Sequence, residues 1–249
     1  EDRRIRIAWY AFIAIATLIS CYYVLQFLLY QTTINEALHV LGLGVITGFR
    51  VFIMIILCSM IWVPLGIRIG LQPRLAEIVQ PIAQILSAFP ANLFYPFIVL
   101  FIATYQLNTD IWLTPLMILG SQWYILFNVI AGAASIPKDL LQATDNFAVT
   151  GWLRWKRLLL PAIFPFYVTG AITAAGGAWN ASIVAEVVSW GHQRLVATGL
   201  GAYITNHTVK GDFQRVTLGV GMMCLLVLII NRLVFRPLYN YASNHFIVE

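Results

Sequence analysis

Charged residues are scarce in this sequence. Of its 249 residues, 10% are charged and 60% are hydrophobic, and the mean hydropathy is +0.82. Soluble domains contain about 25% charged residues, so the composition excludes an ordinary water-soluble domain and indicates an integral membrane protein. The short alternating segments that are typical of membrane β-barrels are also missing. We therefore predict an all-α integral membrane fold.

The sequence also lacks the patterns that bind metals or catalyse reactions. Its three cysteines, Cys21, Cys58 and Cys224, fall singly in separate apolar runs, and its four histidines show no ligand spacing. No phosphate-binding loop of the form G-x-x-x-x-G-K-[ST] occurs, so this polypeptide cannot hydrolyse ATP by that device. We predict that the chain is not an enzyme and holds no metal or cofactor. Energy for any active process must come from a partner or from a gradient.

Six apolar runs are long enough to cross a bilayer, which takes about 20 residues of helix. Four of them contain no charge, at residues 7–35, 78–109, 111–137 and 158–185. The other two are weaker, at residues 40–69 and 218–235, and Arg50 interrupts the first of these. We predict six transmembrane helices in a single membrane domain over residues 1–249, with a core at about 41–239.

The basic residues are divided unequally between the two sides of such a domain. The net charge is +5, but the basic residues form neither one face nor one tail, so nucleic acid is not an expected partner. If six helices alternate, eleven of the fifteen Lys and Arg residues lie on one side, which the positive-inside rule assigns to the cytoplasm. Arg194, Lys210 and Arg215 lie on the other side. This distribution predicts that both termini are cytoplasmic.

The largest predicted cytoplasmic loop, at about residues 135–160, has helical character. Pro137 supplies a helix start, and Leu140, Ala143 and Phe147 then recur at helical spacing. A second short helix would carry Trp152 on its apolar stripe. Two interpretations of these short amphipathic helices stay open. They either lie on the lipid headgroups or form a docking surface that fits a groove on a cytoplasmic protein.

The spacing in this loop resembles the cytoplasmic signature of bacterial ABC importer permeases. That signature is Glu-Ala-Ala, three residues, Gly, nine residues, an apolar residue, one more residue, then Leu-Pro. Anchored on Leu160 and Pro161, it places its Gly on Ala148 and its Glu-Ala-Ala on 142–144, which read Gln-Ala-Thr here. The frame fits although the Glu and the Gly are replaced, and Gly151 can supply the turn instead.

Other stretches resemble the same family. Residues 63–75 and 86–101 are similar to its second and third core helices, and residues 176–191 are similar to the fifth helix of the nitrate, sulfonate, taurine and bicarbonate branch. Some permeases of this branch contain two fused units. Because residue 1 is Glu and not Met, we expect the chain to be a piece of something longer, such as the C-terminal unit of a fused permease.

The resemblance implies a type I ABC importer permease fold in a bacterial inner (plasma) membrane. It implies half of a translocation pathway for a small anion such as nitrate, a sulfonate, taurine or bicarbonate. The expected partners are a second permease unit, two cytoplasmic ATPase subunits that hold ATP and Mg, and an extracytoplasmic substrate-binding protein. The expected coupling residues, which would contact the ATPase, are Leu140, Leu141, Gln142, Ala143, Thr144, Phe147, Ala148, Gly151, Trp152, Leu160 and Pro161.

Polar residues within the apolar runs are candidates for the substrate pathway, because polar groups at membrane depth are costly. They are Arg50, Trp179, Asn180, Ser182 and Glu186. For three of them a structural interpretation stays open: Arg50 can pair with a helix-end carbonyl or with Glu186, Glu186 can be solvated, and Asn180 can bridge two helices. The small residues that recur from Gly170 to Ser182 predict a tight helix contact.

The sequence leaves open the role of one loop and one alternative function. The loop at about residues 189–216 can be a cap on a gate or a contact surface for a binding protein. The alternative function is a gradient-driven carrier or channel for a small solute. A carrier would need intramembrane Asp, Glu or His for coupling, and the first, third and fourth predicted helices contain none.

Overall fold

A computed structural model describes residues 2–29 and 32–246, and these are almost entirely helical. The helices are α1 (Asp2–Leu29), α2 (Ile34–Gly70), α3 (Pro73–Ala88), α4 (Tyr95–Tyr105), α5 (Thr109–Trp112), α6 (Trp123–Ala134), α7 (Lys138–Asn146), α8 (Gly151–Arg154), α9 (Leu160–Ala185), α10 (Leu200–Val209), α11 (Phe213–Ile230) and α12 (Arg236–Phe246). A hairpin of two antiparallel strands, β1 (Val187–Trp190) and β2 (Gln193–Val196), follows α9. Short 3₁₀ turns cover Ala91–Phe94 and Thr114–Met117, and π turns cover Trp155–Leu159 and Asn231–Phe235.

Four helical segments are each long and apolar enough to cross a membrane: Ile5–Val24, Ile34–Gly70, Gly151–Ala185 and Phe213–Asn244. Two bent pairs complete the set when each is taken as one crossing. α3 and the helical stretch Ala91–Tyr105 meet at 74°, and α6 and α7 meet at 72°. The structure thus agrees with the predicted six crossings, but two of them are not the straight helices that the apolar runs suggested.

Proline explains the first of these breaks. α3 ends at Ala88, and Phe89 is extended at φ −69° and ψ 126° because the proline at position 90 disfavours the helical conformation of the residue before it. The apolar run at residues 111–137 is irregular in its first half, where Pro115 lies in the 3₁₀ turn Thr114–Met117 and regular helix resumes only at Trp123. Hydropathy alone does not detect such breaks, since the residues around them stay apolar.

The crossings alternate in direction between two ends of the molecule. At one end, which we call the α7 end, Gly70 of α2 packs against Ala133 of α6. At the other, which we call the hairpin end, Glu36 of α2 pairs with Arg215 of α11, and Thr109 bonds to the carbonyl of Val196 in β2. The helix bounds therefore place the larger group of basic residues at the α7 end and Arg194, Lys210 and Arg215 at the hairpin end. The side chains of Arg3 and Arg4 lie outside the described part.

The core is formed by α2, α6 and α9, which approach closely at small residues. A Cβ on Gly170 of α9 would lie 2.8 Å from the carbonyl oxygen of Tyr124 in α6. Ala174, Ala178 and Ser182, which follow Gly170 at every fourth position, are all buried. This confirms the predicted tight contact. In lipid such contacts matter because helix association depends on packing and not on the hydrophobic effect.

Candidate functional site

The α7 end exposes large apolar side chains around the turn between α7 and α8. Phe147 is 81% exposed and Trp152 is 73% exposed, and Leu140 and Leu153 are exposed as well. We call these four residues the turn patch. Leu141 differs from them, because it packs partly buried against the core and so holds α7 to the rest of the chain. One ion pair crosses the turn, from Arg154 Nη1 to Asp145 Oδ1 at 2.6 Å.

The turn has the geometry that usually takes glycine. The N–H of Val149 donates to the carbonyl of Thr144 at 2.8 Å, and that of Ala148 donates to Asp145 at 3.1 Å. These two bonds define a Schellman motif, whose residue after the helix cap adopts the left-handed conformation. That residue is Ala148, at φ 52°. Gly151 is also left-handed, at φ 59°, so both positions turn the chain.

The predicted second short helix does not exist as a separate element. Helix begins at Gly151, passes through the π turn Trp155–Leu159 and continues to Ala185 as one span of 35 residues. The prediction was wrong because basic residues at 154–157 look like a helix end in sequence, whereas here they lie along a helix that extends beyond the apolar run. The coupling candidates Gly151, Trp152, Leu160 and Pro161 therefore belong to the same helix as the pathway candidates in α9.

The hairpin end holds a buried ionic cluster. Arg50 of α2 donates from Nη2 to Asp110 Oδ1 at 2.7 Å and from Nη1 to Glu186 Oε1 at 3.4 Å. The structure thus shows the pairing of Arg50 with Glu186 that the sequence left as one alternative. Because two carboxylates face the guanidinium, its charge is already compensated within the chain. A contribution of Arg50 to anion passage stays a prediction.

Glu186 is the most enclosed member of this cluster, with 1% of its surface exposed. Its carboxylate accepts hydrogen bonds from Thr47 Oγ1 at 2.7 Å and from the N–H of Ala202 at 2.9 Å. Thr47 in turn accepts from the N–H of Leu200 at 2.9 Å. The interpretation of Glu186 as a solvated residue was wrong, because the segment after β2 folds back over it. A Cβ on Gly199 would overlap the carboxylate, so this approach requires glycine.

Asp110 joins the segment after β2 to α5 by a hydrogen bond. Its Oδ1 accepts a hydrogen bond from the N–H of Thr198 at 2.6 Å as well as the one from Arg50. Partial burial of Asp110 by itself would raise the pKa of its carboxyl, but the bonds from Thr198 and Arg50 outweigh burial and hold this pKa below its ordinary value. The sequence reasoning missed Asp110, Thr47 and Gly199, and the one available signal was an acidic residue between two apolar runs.

The remaining pathway candidates lie on two different faces of α9. Trp179 and Ser182 are buried; the ring of Trp179 packs at Gly48 of α2, and Ser182 Oγ bonds to the carbonyl of Trp179 at 2.7 Å. Asn180 instead is exposed on the surface of the chain. Among the described residues its amide has no hydrogen-bond partner, so it does not bridge two helices of this chain.

Asn180 shares its exposed face with other polar residues of α9. Thr169 and Thr173 lie about three and two helical turns before Asn180 on this face and are exposed. Their hydroxyls donate to backbone carbonyls four residues earlier, at 3.1 and 3.0 Å, so they are satisfied within the helix. Asn180 is the member of this face whose amide has no partner among the described residues. We call Thr169, Thr173 and Asn180 the polar face of α9.

Comparison with known proteins adds the family. The sequence model of the family described as "Binding-protein-dependent transport system inner membrane component" matches residues 62–241. No group of three or more His, Cys, Asp or Glu residues in the described part of the chain is arranged to hold a metal ion.

Several curated relatives are transport permeases. The chain is 25% identical to nitrate import permease protein NrtB of Leptolyngbya laminosa, over 74% of this chain and 63% of the relative. It is 26% identical to bicarbonate transport system permease protein CmpB of Synechocystis sp., over 71% and 60%. It is 23% identical to glycine betaine/proline betaine transport system permease protein ProW of Escherichia coli, over 76% and 51%. The chain thus spans less than two thirds of the length of these relatives.

Proposed function

Because this chain belongs to the family of binding-protein-dependent transport system inner membrane components, we propose that it is the permease subunit of an ATP-driven importer for a small anion. It forms half of a translocation pathway and pairs with a second permease unit. ATP and Mg are held by cytoplasmic ATPase subunits, and substrate arrives on an extracytoplasmic binding protein. One observation carries the proposal: a continuous helix joins an exposed apolar turn to a polar face within the membrane.

The turn patch is the proposed contact with the ATPase. Large apolar side chains that are this exposed at the end of a membrane bundle need either lipid or a protein groove. Phe147 is the strongest candidate anchor, since it follows α7 directly and has 81% of its surface exposed. Residues 142–144 and the left-handed Ala148 shape the turn that presents it. Movement of the turn reaches α9 through the helix that begins at Gly151.

The polar face of α9 is the proposed wall of the pathway. An amide in hydrocarbon is costly unless it has a partner, and intramembrane polar groups usually face water or another helix. Asn180 therefore faces either the aqueous route or the second permease unit, which share this side of α9. Trp179 and Ser182 support the wall from behind, and Arg50 with Glu186 fixes its position at the hairpin end. This narrows the pathway candidates to one side of one helix.

The α7 end is proposed to be cytoplasmic, together with both termini. Eleven of the fifteen Lys and Arg residues belong to that side and three belong to the hairpin side, while Arg50, inside a span, is counted with neither. Such a bias sets orientation because basic residues near span ends are retained in the cytoplasm. The hairpin end then receives the binding protein in a bacterial plasma membrane.

A small anion is the proposed substrate. Two relatives are named for nitrate and bicarbonate import, and another is named for betaines, so the comparisons support a small solute with a trigonal oxyanion group. Nitrate and bicarbonate share planar geometry and a single negative charge. The distinction from a zwitterionic betaine can be tested by transport competition.

Release of the ATPase tests the proposed docking. The complex purified in mild detergent should contain an ATPase chain, and Phe147→Asp should remove it. Loss of a central apolar anchor costs about 2 kcal/mol or more, which is about thirtyfold in affinity. Phe213→Asp is the matched control, because Phe213 is 71% exposed at the opposite end and should leave the ATPase bound.

Headgroup binding of the turn predicts a different result. The Phe147→Asp chain would then keep its ATPase and its coupling of ATP hydrolysis to transport, and would only contact membranes more weakly. That outcome would refute the docking role of the turn patch, whereas loss of the ATPase in both variants would show that neither residue is specific.

A further inference from the structure

A cavity of about 600 Å³ opens at the hairpin end between the start of α2, strand β2 and α10. Its lining includes four basic side chains, His39, Arg194, His207 and Lys210, together with Asn206 and the backbone around Gly199. None of the described residues that line it is Asp or Glu. A cavity with cationic side chains and no carboxylate in its wall is suited to an anion, and its volume is in the usual range for a small-molecule site.

Two acidic residues, Glu36 and Asp212, lie next to this cavity but are not among the residues that line it. Arg215 lies outside the cavity and forms ion pairs with both carboxylates, from Nε to Glu36 Oε1 at 2.5 Å and from Nη1 to Asp212 Oδ2 at 2.6 Å. The hydrogen bonds from Arg215 hold the pKa of the Asp212 carboxyl below its ordinary value. Asp212 is also 3.4 Å from His207 Nδ1, so that histidine is its second neighbour.

The two permanent cations of the cavity, Arg194 and Lys210, form no ion pair among the described residues. Arg194 donates from Nη2 to the amide oxygen of Asn206, which orients the guanidinium without cancelling its charge. Lys210 is exposed, and in the described part of the chain no carboxylate lies within ion-pair distance of it. A planar guanidinium offers a fork of donors that matches two oxygens of a trigonal anion, and an ammonium adds a mobile third donor.

The N-terminus of α10 does not provide the anion site. The N–H groups of Leu200 and Ala202, which have no acceptor within the helix, donate to Thr47 and to the carboxylate of Glu186. Glu186 and Asp110 instead hold the segment 197–202 in place as the floor of the cavity. The cations on its walls are therefore the groups available to a ligand.

We propose that this cavity is a receiving site for a small trigonal oxyanion, with Arg194 and Lys210 as its ligand-binding residues and Asn206 as the residue that positions Arg194. It rests on the proposed import function, in which an anion released by the binding protein must first meet the hairpin end. The site holds the anion briefly at the entrance, before the pathway along α9 opens.

Direct titration of the purified chain with sodium nitrate tests this site. Calorimetry in detergent, at constant ionic strength, should show one saturable nitrate site per chain and no binding of glycine betaine, which carries a quaternary ammonium group. The double variant Arg194→Gln/Lys210→Gln should bind nitrate at least about tenfold more weakly. Arg194→Lys keeps the charge but loses the fork, and should bind with intermediate affinity.

Arg74→Gln/Lys138→Gln is the control, since it removes the same two charges from exposed positions at the opposite end. Absence of saturable nitrate binding, or an equal loss in this control, would overturn the proposal. Unchanged unfolding temperatures in all variants would confirm that the site alone is altered. Because the titration needs no ATPase, a chain that retains the ATPase and binds no nitrate would reject the cavity alone. A chain that binds nitrate but does not co-purify with an ATPase would instead reject the proposed importer.

Discussion

The two ends of the molecule differ in whether their most distinctive side chains find partners within the chain. At the hairpin end, Arg50, Asp110 and Glu186 pair with one another inside the chain. At the α7 end, Phe147 and Trp152 are left with more than 70% of their surface exposed. The charged cluster at the hairpin end is thus satisfied within the chain, whereas the turn patch at the α7 end has no comparable partner among the described residues. Changes at the first should act on folding, and changes at the second should act on association.

The largest expected effect on stability comes from Glu186. Glu186→Ala leaves the hydroxyl of Thr47 and the N–H of Ala202 without their acceptor and leaves Arg50 with only the half-exposed Asp110. Removal of one partner from a buried ion pair costs about 3 kcal/mol or more. Thermal unfolding of the detergent-purified chain should therefore shift strongly downward.

Glu77→Ala provides the reference for this measurement, because Glu77 is exposed on α3 and its loss should change the unfolding temperature little. Equal unfolding temperatures for the two variants would mean that the Arg50–Asp110–Glu186 cluster does not stabilise the fold. The charged cluster would then contribute no more to folding than an exposed residue does, and the comparison between the two ends would fail.

A smaller effect is expected at Gly199, which tests the close approach beneath the same cluster. In Gly199→Ala the new Cβ must displace the carboxylate of Glu186, which is held by three donors. Overpacking of this kind costs about 1–3 kcal/mol. Gly42→Ala is the matched control, since nothing lies within 4 Å of a Cβ there. An unfolding temperature that falls equally in both variants would show that the cause is not the Glu186 contact.

The sequence predicted the membrane crossings well because hydropathy decides which residues can face lipid. It also pointed to Arg50 and Glu186, since charges within apolar runs are rare and must find partners. It could not place Asp110 in the same cluster, because that contact depends on how α5 folds beside α2. Nor could it predict that Glu186 is buried, which depends on the segment after β2.

At the α7 end, the sequence identified the turn but not the continuity of the helix that follows it. The π turn Trp155–Leu159 adds a residue to one turn, which shifts the apolar spacing and hides the helix from a periodicity argument. The signature that locates Ala148 was informative for a physical reason. The motif requires a left-handed residue there, and this chain meets the requirement with alanine.

This alanine gives the smallest effect and the one of opposite sign. A non-glycine residue in the left-handed conformation is strained by about 1–2 kcal/mol, and glycine removes this strain but adds freedom to the unfolded chain. Ala148→Gly should therefore stabilise the turn by up to about 1 kcal/mol. Ala143→Gly, in the interior of α7, should destabilise that helix by about 1 kcal/mol.

Amide hydrogen exchange of residues 138–150 measures the effects of both substitutions, because it reports local opening and not global unfolding. Slower exchange in Ala148→Gly together with faster exchange in Ala143→Gly would locate strain in the turn itself. Faster exchange in both would mean that the turn is unstrained, and that the α7 end differs from the hairpin end only in what it exposes.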